Sequence, residues 1–198
     1  MIYDSFASFY DRFMAPLESL FLRKWRAEAA SLLPEDGRVL ELGAGTGLNF
    51  AHYPGCRHAV ASELSFDMIT RAKTRRGTID LVQADAQLLP FPNAHFDSVF
   101  ASLVFCSIPD PRIAFEEVQR VVKPGGTVIL LEHVRPGGLL GYAFDVLNVA
   151  TVALIEDYFN RQTAELAAGS GLTIVKVDKK AFGAVNLIHC KTAVNQAR

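Results

Sequence analysis

The spacing of apolar residues changes near residue 35. Before it, residues 3 to 33 carry Leu17, Leu20, Phe21, Trp25 and Leu32 at helix-like intervals, and Pro34 ends the pattern. From Arg38 onward, short apolar runs alternate with amphipathic stretches. The runs at 38–42, 59–63, 79–83, 97–102, 127–132, 172–177 and 185–191 predict strands, and several are continuously apolar, as a sheet covered on both faces requires. Strands separated by helical segments imply βαβ units, hence an α/β fold with a mainly parallel, seven-stranded sheet and helices on both faces.

Two helices are punctuated clearly. Ser65 is placed to cap one in which Met68, Ile69 and Ala72 face inward and Arg71, Lys73, Arg75 and Arg76 face solvent. Asp110-Pro111 gives an N-cap and a first-turn proline to the next, whose buried stripe is Ala114, Phe115, Val118, Val121 and Val122. Lys123-Pro124-Gly125-Gly126 then turns the chain into a strand from Thr127 to Leu131.

Composition narrows the class. Half the residues are hydrophobic, and 20 Lys plus Arg face 21 Asp plus Glu for a net charge of -1. A balance this even gives no broad positive field, so nucleic acid is not an expected partner. Cys56, Cys106 and Cys190 are scattered and odd in number, and the start of the chain lacks signal-peptide character, which together predict an intracellular, cytoplasmic setting. The densest apolar stretch, 139–155, contains Asp145 and falls short of the ~20 apolar residues of a membrane-spanning helix. No linker or repeat divides the chain, so residues 1–198 are expected to form one domain: 1–34, 35–135, 136–157 and 158–198 are its helical lead, core, apolar insertion and final sheet segment.

The most informative segment is Val39-Leu40-Glu41-Leu42-Gly43-Ala44-Gly45-Thr46-Gly47, an apolar strand entering a glycine loop. Glycines there permit a tight turn and a close ligand approach. A dinucleotide fingerprint would put its third glycine where this chain has Leu48, so the ligand is not expected to be a dinucleotide. Glu63 ends the second predicted strand, where a carboxylate accepts from a ribose diol, and Asp85 follows the third, where it can accept from an exocyclic amine such as adenine's. Three successive strand ends thus supply one crevice.

With these residues in place, the sequence resembles the class I S-adenosylmethionine-dependent methyltransferases, in particular the group of ubiquinone/menaquinone C-methyltransferases and phosphatidylethanolamine N-methyltransferases. The resemblance rests on Glu41 to Gly47, Glu63, Asp85, Leu89-Pro90-Phe91, Phe96-Asp97-Ser98-Val99 and Val122 to Gly126, and is close over 35–135. It implies a Rossmann-like fold with an N-terminal helical lid and S-adenosyl-L-methionine as cofactor. Glu41, Gly43, Ala44, Gly45, Gly47, Leu64 and Ser102 would then line the cofactor site, Glu63 its ribose hydroxyls, and Asp85 with Ala86 its adenine. Tyr3-Asp4 and Tyr10-Asp11 resemble segments that cover the cofactor, with Tyr10 on the cofactor and Tyr3 facing the acceptor.

Methyl transfer from a sulfonium is an in-line displacement that needs proximity and a water-poor pocket more than an acid or base. The segment Ser102 to Cys106 should lie near the methyl, which makes Phe105 a candidate for the acceptor pocket. It lacks the Asn/Asp-Pro-Pro-Tyr/Phe motif of amino-nucleobase enzymes. It also lacks the aspartate of metal-dependent catechol enzymes, so no metal is expected. His52, Cys56 and His58 lack paired ligand spacing. His133 is the candidate base, since imidazole titrates near neutrality, although a strand-end histidine also serves as a packed structural residue.

As a helix, 136–155 would carry Leu140, Phe144, Leu147, Thr151 and Leu154 on one side and Val146, Val149 and Val152 on another. An almost wholly apolar helix is a core element, a homodimer interface, a peripheral membrane contact or the wall of a lipophilic pocket, with Phe144 facing a lipid or quinone-like acceptor. A soluble metabolite acceptor remains open. Two other classes compete: a non-catalytic S-adenosylmethionine-binding protein, and a nicotinamide oxidoreductase, which the glycine spacing and the lack of any Tyr-x3-Lys pair disfavour.

Overall fold

The computed structural model describes residues 11–12, 14–53, 58–155, 158 and 160–194. A π-helical turn, Glu18–Leu22, runs into α1 (Arg23–Ala30). There follow β1 (Arg38–Leu42), β2 (His58–Glu63), α2 (Phe66–Ala72), β3 (Asp80–Gln83), β4 (Phe96–Ser102), α3 (Pro111–Val121) and β5 (Val122–His133). The chain continues with α4 (Gly138–Ile155), α5 (Thr163–Gly169), β6 (Thr173–Lys180) and β7 (Val185–Lys191). The sheet has seven strands in the order β3-β2-β1-β4-β5-β7-β6. All its pairings are parallel except those of β7, which is antiparallel to both β5 and β6.

Period-two alternation divides the strands between two cores. Leu40, Leu42, Val99, Ala101, Val128, Leu130 and Ile188 pack with α3 and α5 on one face. Val39, Phe100, Ile129, Leu131 and Leu187 pack with Ala29 and Ala30 of α1 on the other. Ala59 and Ala61 of β2 meet Ala72 of α2. Both predicted caps form: Ser65 Oγ accepts from the Met68 amide and an Asp110 carboxylate oxygen from the Arg112 amide. Ala114, Phe115, Val118 and Val121 are fully buried as the spacing predicts, whereas Val122, expected on the same helical stripe, is buried as the first residue of β5.

Three expectations need correction, and one of the alternatives left open for the apolar insertion is removed. Leu17, Leu20 and Phe21 point outward, and the first helix instead buries Leu22, Arg26, Ala29 and Ala30, because the small alanines let it approach the sheet closely. Lys123 to Gly126 do not precede the fifth strand but bulge within it: Val122 pairs with Phe96 and Thr127 with Ser98, so the ladder resumes after the excursion. The sixth strand runs on to Lys180, its alternation obscured by lysines on a sheet edge. The apolar insertion is helical as expected but is not a core element. Leu139, Tyr142, Val146 and Val149 are 88%, 68%, 75% and 72% exposed, while Phe144 is half-buried.

Candidate functional site

The strand order reverses between β1 and β4, which opens a crevice at the carboxyl ends of the parallel strands. The glycine turn lies there. Gly43, Gly45 and Gly47 all have positive φ, at 60°, 55° and 82°. They are not equivalent. A Cβ on Gly43 would lie 2.6 Å from the Val104 methyl carbons, and one on Gly47 would lie 2.6 Å from the Phe50 ring. Among the described residues nothing lies within 4 Å of the Cβ position of Gly45, so they leave the backbone of this turn uncovered.

Glu63 crosses from the end of β2 to this turn. One of its carboxylate oxygens accepts from the Gly45 amide at 2.9 Å and the other from the Ser65 amide at 2.8 Å. The Ala84 amide donates to the Glu63 carbonyl at 3.0 Å, which brings the segment after β3 alongside. Asp85 in that segment accepts from the Gln87 amide at 2.8 Å, and Ala86 packs on the main core. Leu64 is exposed beside Glu63, whereas Ala44 is buried. The three predicted strand ends are therefore contiguous, with two half-buried carboxylates around an open glycine backbone. That arrangement fits an adenosyl ligand, with acceptors for a diol and an amine and room for close approach.

Glu41 is fully buried beneath the turn. The Asn49 amide donates to its carboxylate at 2.6 Å, and the Tyr53 hydroxyl donates to its other oxygen. Burial pushes its pKa up to about 7, against the lowering effects of those two bonds and of Arg26. Ser102, at the end of β4, accepts from Arg26 Nη1 at 2.9 Å. Tyr3 and Tyr10 lie outside the described residues, as does Cys56. The neighbour of Tyr10, Asp11, accepts from Thr46 Oγ1 and from Arg75 Nη2, both at 2.6 Å. The N-terminal segment is thereby tied to the glycine turn. Arg75, expected only to face solvent, also donates to the Thr46 carbonyl at 2.8 Å.

Past β4 the chain turns through Leu103, whose φ is 58°. The Val104 and Phe105 amides donate to the Glu132 carboxylate, which is fully buried. Phe105 is no pocket residue: its ring is fully buried and stacks on Phe115 with centroids 4.1 Å apart, because the turn directs it into the core. His133 follows Glu132 at the end of β5 and is half-buried, on the opposite face of the strand. After α4, the Tyr158 amide donates to the Cys106 carbonyl at 3.0 Å, and Arg161 donates to the carbonyls of Phe105 and Ile108. The insertion thus returns to the post-β4 loop. Among the described residues no group of three or more His, Cys, Asp or Glu side chains could hold a metal ion.

Glu132 and Arg26 were missed at the sequence level. The available signal was a charge at an otherwise inward position: Glu132 after Leu130-Leu131, and Arg26 one turn before Ala29-Ala30.

Residues 40–130 match the family described as methyltransferase domain. A demethylmenaquinone methyltransferase of Renibacterium salmoninarum is 34% identical over 68% of this chain and 58% of its own length. A phosphatidylethanolamine N-methyltransferase of Cereibacter sphaeroides is 33% identical over 54% of this chain and 56% of its own. The chain therefore spans a little over half the length of these two relatives. Among solved structures, an S-adenosylmethionine-dependent methyltransferase from Thermotoga maritima superposes with a TM-score of 0.76 at 21% identity, covering 96% of this chain and 98% of that one. At that identity the likeness describes the fold.

Proposed function

We propose that this chain, which belongs to the class I S-adenosylmethionine-dependent methyltransferases, moves the cofactor's methyl group to a small lipophilic acceptor such as a quinone precursor or a phospholipid amine. The cofactor supplies a sulfonium methyl that is displaced in line. In this proposal Gly45 offers its backbone face, Glu63 accepts from the ribose diol and Asp85 with Ala86 frames the adenine. Leu64, Gly43, Ala44 and Gly47 shape the turn, with Glu41 and Ser102 supporting it from below. In the same proposal His133, the last residue of β5, would take a proton from an acceptor that must lose one.

The observation that carries the lipophilic acceptor is α4. Its carboxylate, Asp145, accepts from Arg135 at 2.9 and 2.7 Å, and Asn160 donates to both Asp145 and Asn148, so the polar side of the helix is anchored to the body. Leu139, Tyr142, Val146 and Val149 are left facing outward, and the chain that follows the helix returns to the post-β4 loop through the Tyr158 amide. Two of the relatives, by name a demethylmenaquinone methyltransferase and a phosphatidylethanolamine N-methyltransferase, support the same class. Peripheral contact with a membrane follows from such an acceptor. Among the described residues no helix is long and apolar enough to cross one.

The test is incubation with isotopically labelled S-adenosylmethionine and separate lipid and aqueous cell extracts. A labelled product in the lipid fraction supports the proposal. A label confined to water-soluble metabolites overturns the lipophilic acceptor, and saturable cofactor binding without any labelled product overturns the catalytic role.

A further inference from the structure

The walls of the crevice belong to different strands, and one side chain joins them. Arg26 of α1 is 4% exposed and shares the buried face of that helix with Ala29 and Ala30. Its Nη1 carries two hydrogens. One bond goes 2.9 Å to Ser102 Oγ at the end of β4, and the other 2.8 Å to Asn49 Oδ1, beyond the glycine turn that leaves β1. Nε is held by Glu18 at 3.1 Å. Asn49 passes the tie on, donating through Nδ2 to Glu41 on β1.

A single nitrogen therefore spans the point where the strand order reverses. We propose that Arg26 is a positioning residue: by holding Ser102 and Asn49 at a fixed separation it sets the width of the crevice, and so the affinity for an adenosyl ligand. A buried cation costs desolvation that a methionine of similar length would avoid, so packing alone does not account for a guanidinium here. A two-pronged donor on one nitrogen holds two acceptors at a fixed distance. The inference rests on the cofactor assignment above. It adds that the N-terminal helix is part of the binding site and not only a cover for it.

The experiment measures binding of S-adenosylhomocysteine by calorimetry to wild type, Arg26→Gln, Arg26→Lys and Ser102→Ala, alongside ligand-free melting curves. Loss of a charge-assisted bond predicts an affinity weaker by about tenfold in Arg26→Gln and about threefold or more in Ser102→Ala. Arg26→Lys, which keeps the cation, should recover part of the loss. A merely structural Arg26 would lower the melting temperature and leave the affinity of the folded protein within twofold of wild type in all three variants, and that result overturns the inference. If Arg26→Gln does not fold, Arg26→Lys and Ser102→Ala read the same bond. Wild type that fails to bind the ligand overturns the cofactor assignment itself, whereas wild-type binding with unchanged variants overturns only the role of Arg26.

Discussion

The Glu132 carboxylate accepts the Val104 backbone amide with both oxygens, at 3.0 and 3.2 Å, and so fixes the loop after β4 from within the core. The Phe105 amide adds a third bond at 3.2 Å. Glutamine at 132 would present an amide nitrogen to amide donors. Glu132→Gln should cost roughly 1–3 kcal/mol, read as a lower urea midpoint with an unchanged m-value. A midpoint equal to wild type would show that the loop does not depend on this carboxylate.

Stability should fall with rising pH because of Glu41. Burial raises its pKa to about 7 from 4.5, so between those values the folded protein holds a proton that the unfolded chain has released. The contribution is complete below pH 4.5 and lost as pH passes through about 7, and it amounts to ~3 kcal/mol at 1.36 kcal/mol per unit. Urea midpoints measured from pH 5 to 8 should decline in wild type and decline less in Glu41→Gln. Parallel slopes for the two proteins would refute the assignment.

Alanine should affect two glycines of the turn differently. At Gly45 the added Cβ meets none of the described residues, so Gly45→Ala should cost only the strain of a left-handed backbone, about 1–2 kcal/mol, and leave a folded protein whose cofactor face is obstructed. At Gly43 the same change adds collision with Val104, roughly 1–3 kcal/mol more. Calorimetry with S-adenosylhomocysteine and thermal melts separate the two: Gly45→Ala loses affinity out of proportion to stability, and Gly43→Ala loses stability first.

The outward face of α4 gives a membrane test. Val146→Asp combined with Val149→Asp should reduce sedimentation with phospholipid vesicles severalfold while leaving S-adenosylhomocysteine affinity at the wild-type value. If the wild type is a dimer by light scattering and the double variant a monomer with unchanged vesicle binding, the face joins copies of the chain instead.

The sheet was legible in the sequence where burial on both faces left continuous apolar runs, as at Val128 to Leu131 and Val99 to Ala101. It was least legible at the edge strand β6, where one flank lacks a neighbour and Lys179 and Lys180 interrupt the pattern. The contiguity of Gly45, Glu63 and Asp85 followed from strand order, because successive parallel strands deliver their ends to one rim. Long-range polar partners could not be read that way. Glu132 bonds the chain 28 residues away and Arg26 one 76 residues away, and no periodicity encodes such a pair. Phe105 shows the converse error: being near the crevice in sequence did not settle which way its ring points.

The placement of β7 bears on how the protein is made. It fits between β5 and β6, pairing with Thr127 to His133 on one side and Thr173 to Lys180 on the other, yet it follows both in the chain. During synthesis the Val128 to Leu131 edge of the sheet must therefore wait, apolar and without its lateral partner, until residues Val185 to Lys191 have left the ribosome. A nascent chain stalled before that point would present an adhesive strand edge to its neighbours, making the interval between the emergence of β5 and that of β7 one in which the chain needs chaperone cover.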